Sequence, residues 1–287
     1  MSRRFMALSR PRVHHDALDW ARRVVTNGGS VSQSTLRAVS TFCDAVDRAN
    51  IRDRFYRLNL FCGTGLAACL VPLYRGQSLG GTQLGGVTDT NTNFVSGDYS
   101  ETTGLTTTAA GGKYLNTGLS PNSMALADVQ AMHLAVSHGP TASADLDPRP
   151  LGANSAADRF QIVLTTRTAS VGLLGVSLGR TNSLNSSNLP TGVQLSASWV
   201  VSRTSATALV IYKNGSADTT LATSVTGILS HANAFTVGRV NNAGTIIGDS
   251  ALLGHRHYSI GAAMTAAQVA AYESALAAFR SAIGRTA

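Results

Sequence analysis

Residues 207–261 read TALVIYKNGSADTTLATSVTGILSHANAFTVGRVNNAGTIIGDSALLGHRHYSIG, and this run decides the fold. Ala208-Leu-Val-Ile-Tyr212 is β-branched and aromatic and leads into Asn214-Gly215. Asn-Gly supplies the two positive-φ residues of a type I′ turn, so the chain is expected to reverse there and pair with Thr219–Val225 as a hairpin. A further strand, Ala234-Phe-Thr-Val-Gly-Arg239, passes through Asn241-Asn-Ala-Gly244 into Ser250–Gly261, which contains His255-Arg-His-Tyr258. Strand follows strand with no helical stretch between, which is the pattern of an antiparallel sheet and excludes βαβ units.

Taken in order, Ile-Tyr-Lys-Asn-Gly (211–215), Phe-Thr-Val-Gly-Arg (235–239), His-Tyr-Ser-Ile-Gly (257–261) and a short C-terminal helix resemble the second half of a concanavalin A-like (laminin G-like) jelly roll. The versions carried by tailed-phage virion proteins are the most similar. Gly112-Lys-Tyr-Leu-Asn-Thr-Gly118 adds to the likeness, since a strand in those proteins ends in Lys-Tyr-Leu before an Asn-rich loop. The expected fold is mainly β: an antiparallel jelly-roll β-sandwich with an N-terminal helical hairpin and a C-terminal helix. Residues 1–57 would form a basic arm and helical docking region, and residues 58–287 the sandwich with its C-terminal helix.

Composition fits that architecture. At 287 residues the chain can bury a large core without cross-links. Only 13% of residues are charged, about half the usual share of roughly 25%. Cys43, Cys62 and Cys69 are an odd number without metal-ligand spacing and read as buried free thiols. Met1–His15 is basic but lacks an apolar h-region, and no run approaches the roughly 18 apolar residues of a membrane span. The expected location is therefore a virion assembled in a host cytoplasm, with no membrane partner.

Residues 1–57 hold 11 Arg against 5 Asp (+6), and residues 58–287 hold 12 Lys+Arg against 10 Asp+Glu (+2), so most of the net +8 lies at the N-terminus. Such a segment suits nucleic acid or an acidic protein surface. Without interleaved aromatics or a nucleic-acid fold, a protein partner is the expectation. Arg3, Arg4, Arg10, Arg12 and Trp20 are the docking candidates, although Trp20 also reads, with Phe42, as core.

Asp16 reads as the N-cap of a first helix carrying Leu18, Ala21, Val24 and Val25 and stopping at Asn27-Gly28-Gly29. Ser32 or Ser34 opens a second, with Leu36, Val39, Phe42, Cys43 and Val46 at helical spacing up to Asn50. Leu66–Tyr74, with Pro72 inside, reads as an edge strand or a covering segment. Residues 76–93 and 181–190 read as exposed loops, where binding functions tend to sit. Thr265-Ala-Ala-Gln268 matches a capping box before a last helix with Val269, Tyr272, Leu276, Phe279 and Ile283 in one apolar stripe.

Some sandwiches of the resembled family are glucanases, which need two carboxylates about 5–5.5 Å apart for retention or roughly 6.5–9.5 Å for inversion. This chain has two glutamates, Glu101 and Glu273, and its Asp145-x-Asp147 sits beside Pro148 in a loop, so it is read as a non-enzyme. His14 and His15 are expected to be solvated. His255 and His257 alternate in a strand and would share a face, but packing is the commoner use of such a pair. No cofactor is expected. Calcium stays open as an alternative, because many laminin G-like domains hold it through Asp and Asn at loop tips, and Asp89, Asp98 and Asp249 fall in suitable loops. Tyr99, Tyr114, Asn241, Asn242 and Tyr258 are the ligand candidates, as aromatics and amides beside polar loops.

Together these point to a tailed-phage virion structural protein, a head decoration or a tail- or fibre-associated component. It would dock on other virion proteins through its N-terminal region, in many copies or as a homo-oligomer, and display a lectin-like sandwich toward host-surface glycans. A glycan-cleaving depolymerase, which needs acids converging in a groove, is one alternative. A cement protein without a ligand, whose loops 76–93 and 181–190 meet neighbours, is the other.

Overall fold

The computed structural model describes residues 12–76, 83–107, 112–139, 148–155, 158–165, 173–180, 185–188, 197–205, 207–222, 231–248 and 254–285. Helices α1 (His15–Thr26) and α2 (Gln33–Arg48) lead into β1 (Phe55–Asn59), α3 (Gly65–Cys69) and β2 (Tyr74–Arg75). Next come β3 (Thr90–Thr92), β4 (Tyr99–Ser100), β5 (Gly104–Thr106), β6 (Tyr114–Asn116), α4 (Leu126–Gln130) and β7 (Met132–His138). They are followed by β8 (Leu151–Asn154), β9 (Arg159–Thr165), β10 (Leu173–Arg180), β11 (Asn185–Asn188), β12 (Ser198–Ser205), β13 (Ala208–Lys213) and β14 (Ser216–Ala222). The order closes with β15 (Thr236–Val237), β16 (Val240–Asn242), β17 (Thr245–Ile247), β18 (Gly254–Ala262) and α5 (Ala266–Ala282).

Two nine-stranded sheets result. The first runs β14-β13-β12-β7-β18-β1-β2, with β5 and β4 attached through β18; the second runs β11-β10-β9-β8-β15-β6-β3, with β16 and β17 attached through β8. Neighbours such as β7 and β12 or β9 and β10 pair antiparallel, whereas β16 lies parallel to β8. This is the expected jelly-roll β-sandwich, with a helical hairpin before it and a helix after it. The Asn214-Gly215 turn has φ of 49° and 83°, as a type I′ hairpin requires, and joins β13 to β14.

The first sheet is buried on both faces. Leu134, Val136, Trp199, Val201, Leu209, Ile211, Tyr258 and Ile260 point into the core between the sheets, where they meet Leu151, Phe160, Ile162, Val176, Phe235 and Val237. On the opposite face Phe55, Leu58, Ala135, Val200 and Tyr212 meet Trp20, Val24, Phe42 and Val46 of the hairpin and Val269, Tyr272, Leu276 and Phe279 of α5. Period-two alternation puts both sets on one strand, so Trp199–Val201 and Leu209–Tyr212 read as continuous apolar runs rather than alternating ones. The apolar stripe of α5 thus covers the sheet and the N-terminal helices together.

Several expectations need correction. The cap of α1 is His14, whose Nδ1 accepts from the Asp16 amide at 3.1 Å while its Nε2 bonds Asp47 at 2.9 Å; Asp16 is left to pair with Arg52. His14 is therefore engaged rather than solvated. Leu66–Tyr74 begins as α3, because a helical turn sends Cys69 and Leu70 to the inter-sheet core and Ala68 to the helical layer, and only Tyr74–Arg75 forms the edge strand. Residues 76–93 are not simply exposed, since Leu84 and Asp89 are buried in them. The strand expected over 234–239 shrinks to Thr236–Val237. The border drawn between residues 57 and 58 cuts through β1, inside the layer that binds the helices to the sheet.

Candidate functional site

The last strand and the last helix frame a cleft. In β18 the register with β7 slips between His255, opposite His138, and His257, opposite Ser137, leaving Arg256 as the extra residue of a β-bulge. The bulge turns the two histidines to opposite faces. His255 stacks edge-on against His138 at 4.9 Å, on the side of Gly238, whereas His257 bonds Ser137 at 2.7 Å and abuts Tyr272 of α5. Both are buried, and burial holds both imidazoles well below the usual histidine range. The expectation that alternate positions share a face fails here because of the single extra residue.

Arg256 points into a cavity of about 790 Å³ between α5, the Asn214-Gly215 turn and the start of β12. Helix α5 is fixed at its start by Thr265 and Gln268, which cap one another's amides as the sequence predicts. The turn is tied down by Asn214, whose Oδ1 accepts from the Ser198 amide at 2.9 Å and whose own amide donates to the Ser198 carbonyl at 2.8 Å. Gly215 lies against Glu273, where an added Cβ would stand 3.0 Å from the Glu273 Cβ. The Ser198 hydroxyl donates to Glu273, and Arg280 stands 3.6 Å from the other carboxylate oxygen. Burial raises the Glu273 pKa, against the pull of Ser198 and Arg280.

A second polar cluster lies in the core. Arg57 donates to Asp89 at 2.9 Å, the Tyr258 hydroxyl donates to both Asp89 oxygens at 2.7 and 2.8 Å, and Asn59 donates to Asp89 at 2.9 Å. All four residues are at most 1% exposed, so the cluster ties the 83–92 segment to β1 and β18 and offers no open face to a ligand.

The ligand candidates do not converge. Tyr258 is in that core cluster, which removes it as a surface platform. The Tyr99 hydroxyl donates to the carbonyls of Phe61 and Gly63. Tyr114 lies half-buried in β6, opposite Thr92. Asn241 closes its own turn by accepting from the Gly244 amide at 2.9 Å, and Asn242 pairs with Thr245 in the same hairpin. Among the docking candidates, Arg12 is exposed, and Arg3, Arg4 and Arg10 lie outside the described residues. Trp20 is core: it is 1% exposed and its indole donates to the Val71 carbonyl at 3.1 Å.

The calcium candidates fit poorly. Asp89 already neutralises Arg57, Asp98 pairs with Lys113 at 2.6 Å, and Asp249 lies outside the described residues, as do Asp145 and Asp147. His14, His15 and Asp16 bring ligand atoms within 4.8 Å of one another, but His14 and Asp16 are held by the capping and ion-pair contacts of α1. The three cysteines are buried free thiols, as expected, and burial pushes the Cys43 thiol up to about 12. Sequence reasoning missed the Arg256 cleft, because a β-bulge leaves no periodic signal and its walls come from distant segments.

No family model and no curated protein sequence matches the chain. Solved structures of low similarity do. Domain 4 of an extracellular arabinanase from Geobacillus stearothermophilus, in complex with arabinotriose, is 14% identical, with 76% of this chain and 98% of that chain covered and a TM-score of 0.43. A tailspike protein of an Escherichia coli bacteriophage is 14% identical over 63% of this chain and 25% of that one, at a TM-score of 0.42. The binding domain of botulinum neurotoxin serotype D is 10% identical over 79% and 52%, at 0.48. Likenesses this distant carry no argument about function; the architecture rests on the strand pairings themselves.

Proposed function

We propose that this chain is a non-catalytic, carbohydrate-binding virion protein of a tailed phage, a jelly roll held on the head or tail among other virion proteins and present in many copies. The observation that carries the binding half is the α5 cleft. Ser198, Asn214, Ser216 and Ser274 line it beside Arg256 and Arg280, and its volume of about 790 Å³ falls in the range of roughly 300–1,000 Å³ typical of small-ligand sites. Hydroxyls, an amide and guanidiniums match a polyhydroxylated ligand. Glu273 is tied to Ser198 and Arg280, and no second carboxylate lines the cleft among the described residues; that set binds a sugar but does not supply the acid pair of a glycosidase. The docking half rests on the resemblance to phage proteins and on the charge of residues 1–57, 11 Arg against 5 Asp, in a segment whose helices are already packed on the sandwich.

The test compares the full chain with a variant lacking residues 1–11. Each is mixed with immobilised host-envelope polysaccharide and with particles that lack the protein. Both should be retained by the polysaccharide, and only the full chain should attach to particles. Attachment without any retention identifies a cement protein and ends the carbohydrate reading. Release of reducing ends from the polysaccharide identifies a depolymerase.

A further inference from the structure

The charge of the α5 cleft narrows its occupant. Arg256 is 5% exposed, yet among the described residues no carboxylate pairs with it and its Nε has no acceptor. Two other guanidiniums lie near it, Arg285 on its carbonyl and Arg280 in the same cleft. Arg285 is saturated by the carbonyls of Leu60, Phe61, Glu101 and Arg256 itself, and Arg280 is turned toward Glu273. The cleft is thus lined by two guanidiniums, those of Arg256 and Arg280, and by one described carboxylate, Glu273. A buried cation left without a partner is costly, and a guanidinium is satisfied best by a planar, bidentate carboxylate. The Nε and Nη2 of Arg256 pack against Gly139, where an added Cβ would stand 3.1 Å from each, so a side chain there would press on the guanidinium.

We infer that the α5 cleft binds a carboxylated sugar, with its carboxylate on Arg256 and its hydroxyls on Ser216 and Ser274. The inference rests on the carbohydrate-binding reading and adds the acidic class of the sugar. A cavity of this size admits one acidic sugar unit and does not track a polyanion such as nucleic acid, which needs an extended groove.

Thermal midpoints of the full chain are measured with galacturonate, N-acetylneuraminate, galactose, N-acetylglucosamine, inorganic phosphate and an acidic hexapeptide. A carboxylated sugar should raise the midpoint with concentration, and the neutral sugars, phosphate and the peptide at equal concentration should not. Arg256→Gln should remove the ligand-induced shift, weakening binding at least tenfold, while its own midpoint stays at or above that of the parent because an unpaired buried cation is gone. Gly139→Ala, whose added methyl would meet the Arg256 guanidinium first, should weaken binding and keep the parent midpoint.

Equal shifts with neutral sugars that survive Arg256→Gln overturn the acidic assignment and leave the carbohydrate reading standing. Equal shifts with phosphate or the peptide overturn the sugar assignment. No shift with any sugar overturns the inference; polysaccharide retention by the full chain then shows whether the carbohydrate reading survives at another site. A lower midpoint for Arg256→Gln with no ligand effect in the parent makes Arg256 a structural residue.

Discussion

Asp89 illustrates how a single residue changes meaning between sequence and structure. By composition it belongs to a Gly/Thr/Asn-rich loop, yet in the fold it is 1% exposed and holds Arg57, Asn59 and Tyr258 at once. Its partners lie 32, 30 and 169 residues away along the chain, beyond any local pattern. Removing one member of such a pair strands the other charge in the core, at about 3–5 kcal/mol. Asp89→Ala should therefore lose about that much stability in urea unfolding, although it is a loop residue; a loss below about 1 kcal/mol would show that Arg57 finds other acceptors. Arg256 is the reverse case, a buried cation whose partner is not supplied by the described chain. Its position between two histidines was legible in the sequence, and its isolation from acids was not.

At the scale of elements, β7 and β18 form a strip carrying four buried histidines, His133, His138, His255 and His257. The His133 Nδ1 donates to the Ala262 carbonyl and its Nε2 lies 2.9 Å from the Ser259 hydroxyl, so both ring nitrogens are engaged. Burial lowers the His133 pKa to about 4 and the His255 pKa to about 3, and also holds those of His138 and His257 well below the usual value of 6.5. The unfolded chain takes up these protons from about pH 6.5, whereas the folded chain resists them down to about pH 4. Stability is thus full above 6.5 and falls as the pH drops toward 4, by roughly 1.4 kcal/mol per pH unit for each histidine. Urea midpoints at pH 7.5 and pH 5 should differ sharply; equal midpoints would mean that the rings are hydrated or already ionised in the folded state. The type I′ hairpin and the Thr265 capping box were readable because each depends on residues within four positions, and the same local chemistry narrowed the α2 cap to Ser32 or Ser34, of which the structure uses Ser32. The bulge at Arg256 was not, since nothing local marks an extra residue that the β7 register imposes.

For the whole molecule, the decisive feature is the helical layer. Trp20, Val24, Phe42 and Val46 share one core with Phe55, Leu58, Tyr272 and Phe279. Arg285, just beyond α5, adds a clamp by donating to the Leu60 and Arg256 carbonyls at 3.0 and 2.8 Å. Deleting residues 1–57 would strip the outer face of the first sheet and remove most of β1. That variant should lose its cooperative thermal transition and near-UV dichroism, while deletion of 1–11 should leave both unchanged. A cooperative, native-like spectrum after the larger deletion would mean that the sandwich folds alone and that the helices are a detachable docking unit.

The class of the fold, the hairpin turn, the Thr265 capping box, the three buried thiols and the concentration of positive charge at the N-terminus are legible in the one-dimensional chain. These follow from contacts between near neighbours and from composition, which the chain carries in one dimension. Long-range pairing alone makes the helices part of the core, puts Asp89 and Tyr258 in the interior, and turns Arg256 into a cleft whose one described acid, Glu273, is held by Ser198 and Arg280. Each of those depends on long-range pairing of strands, which sets both burial and the company a charge keeps.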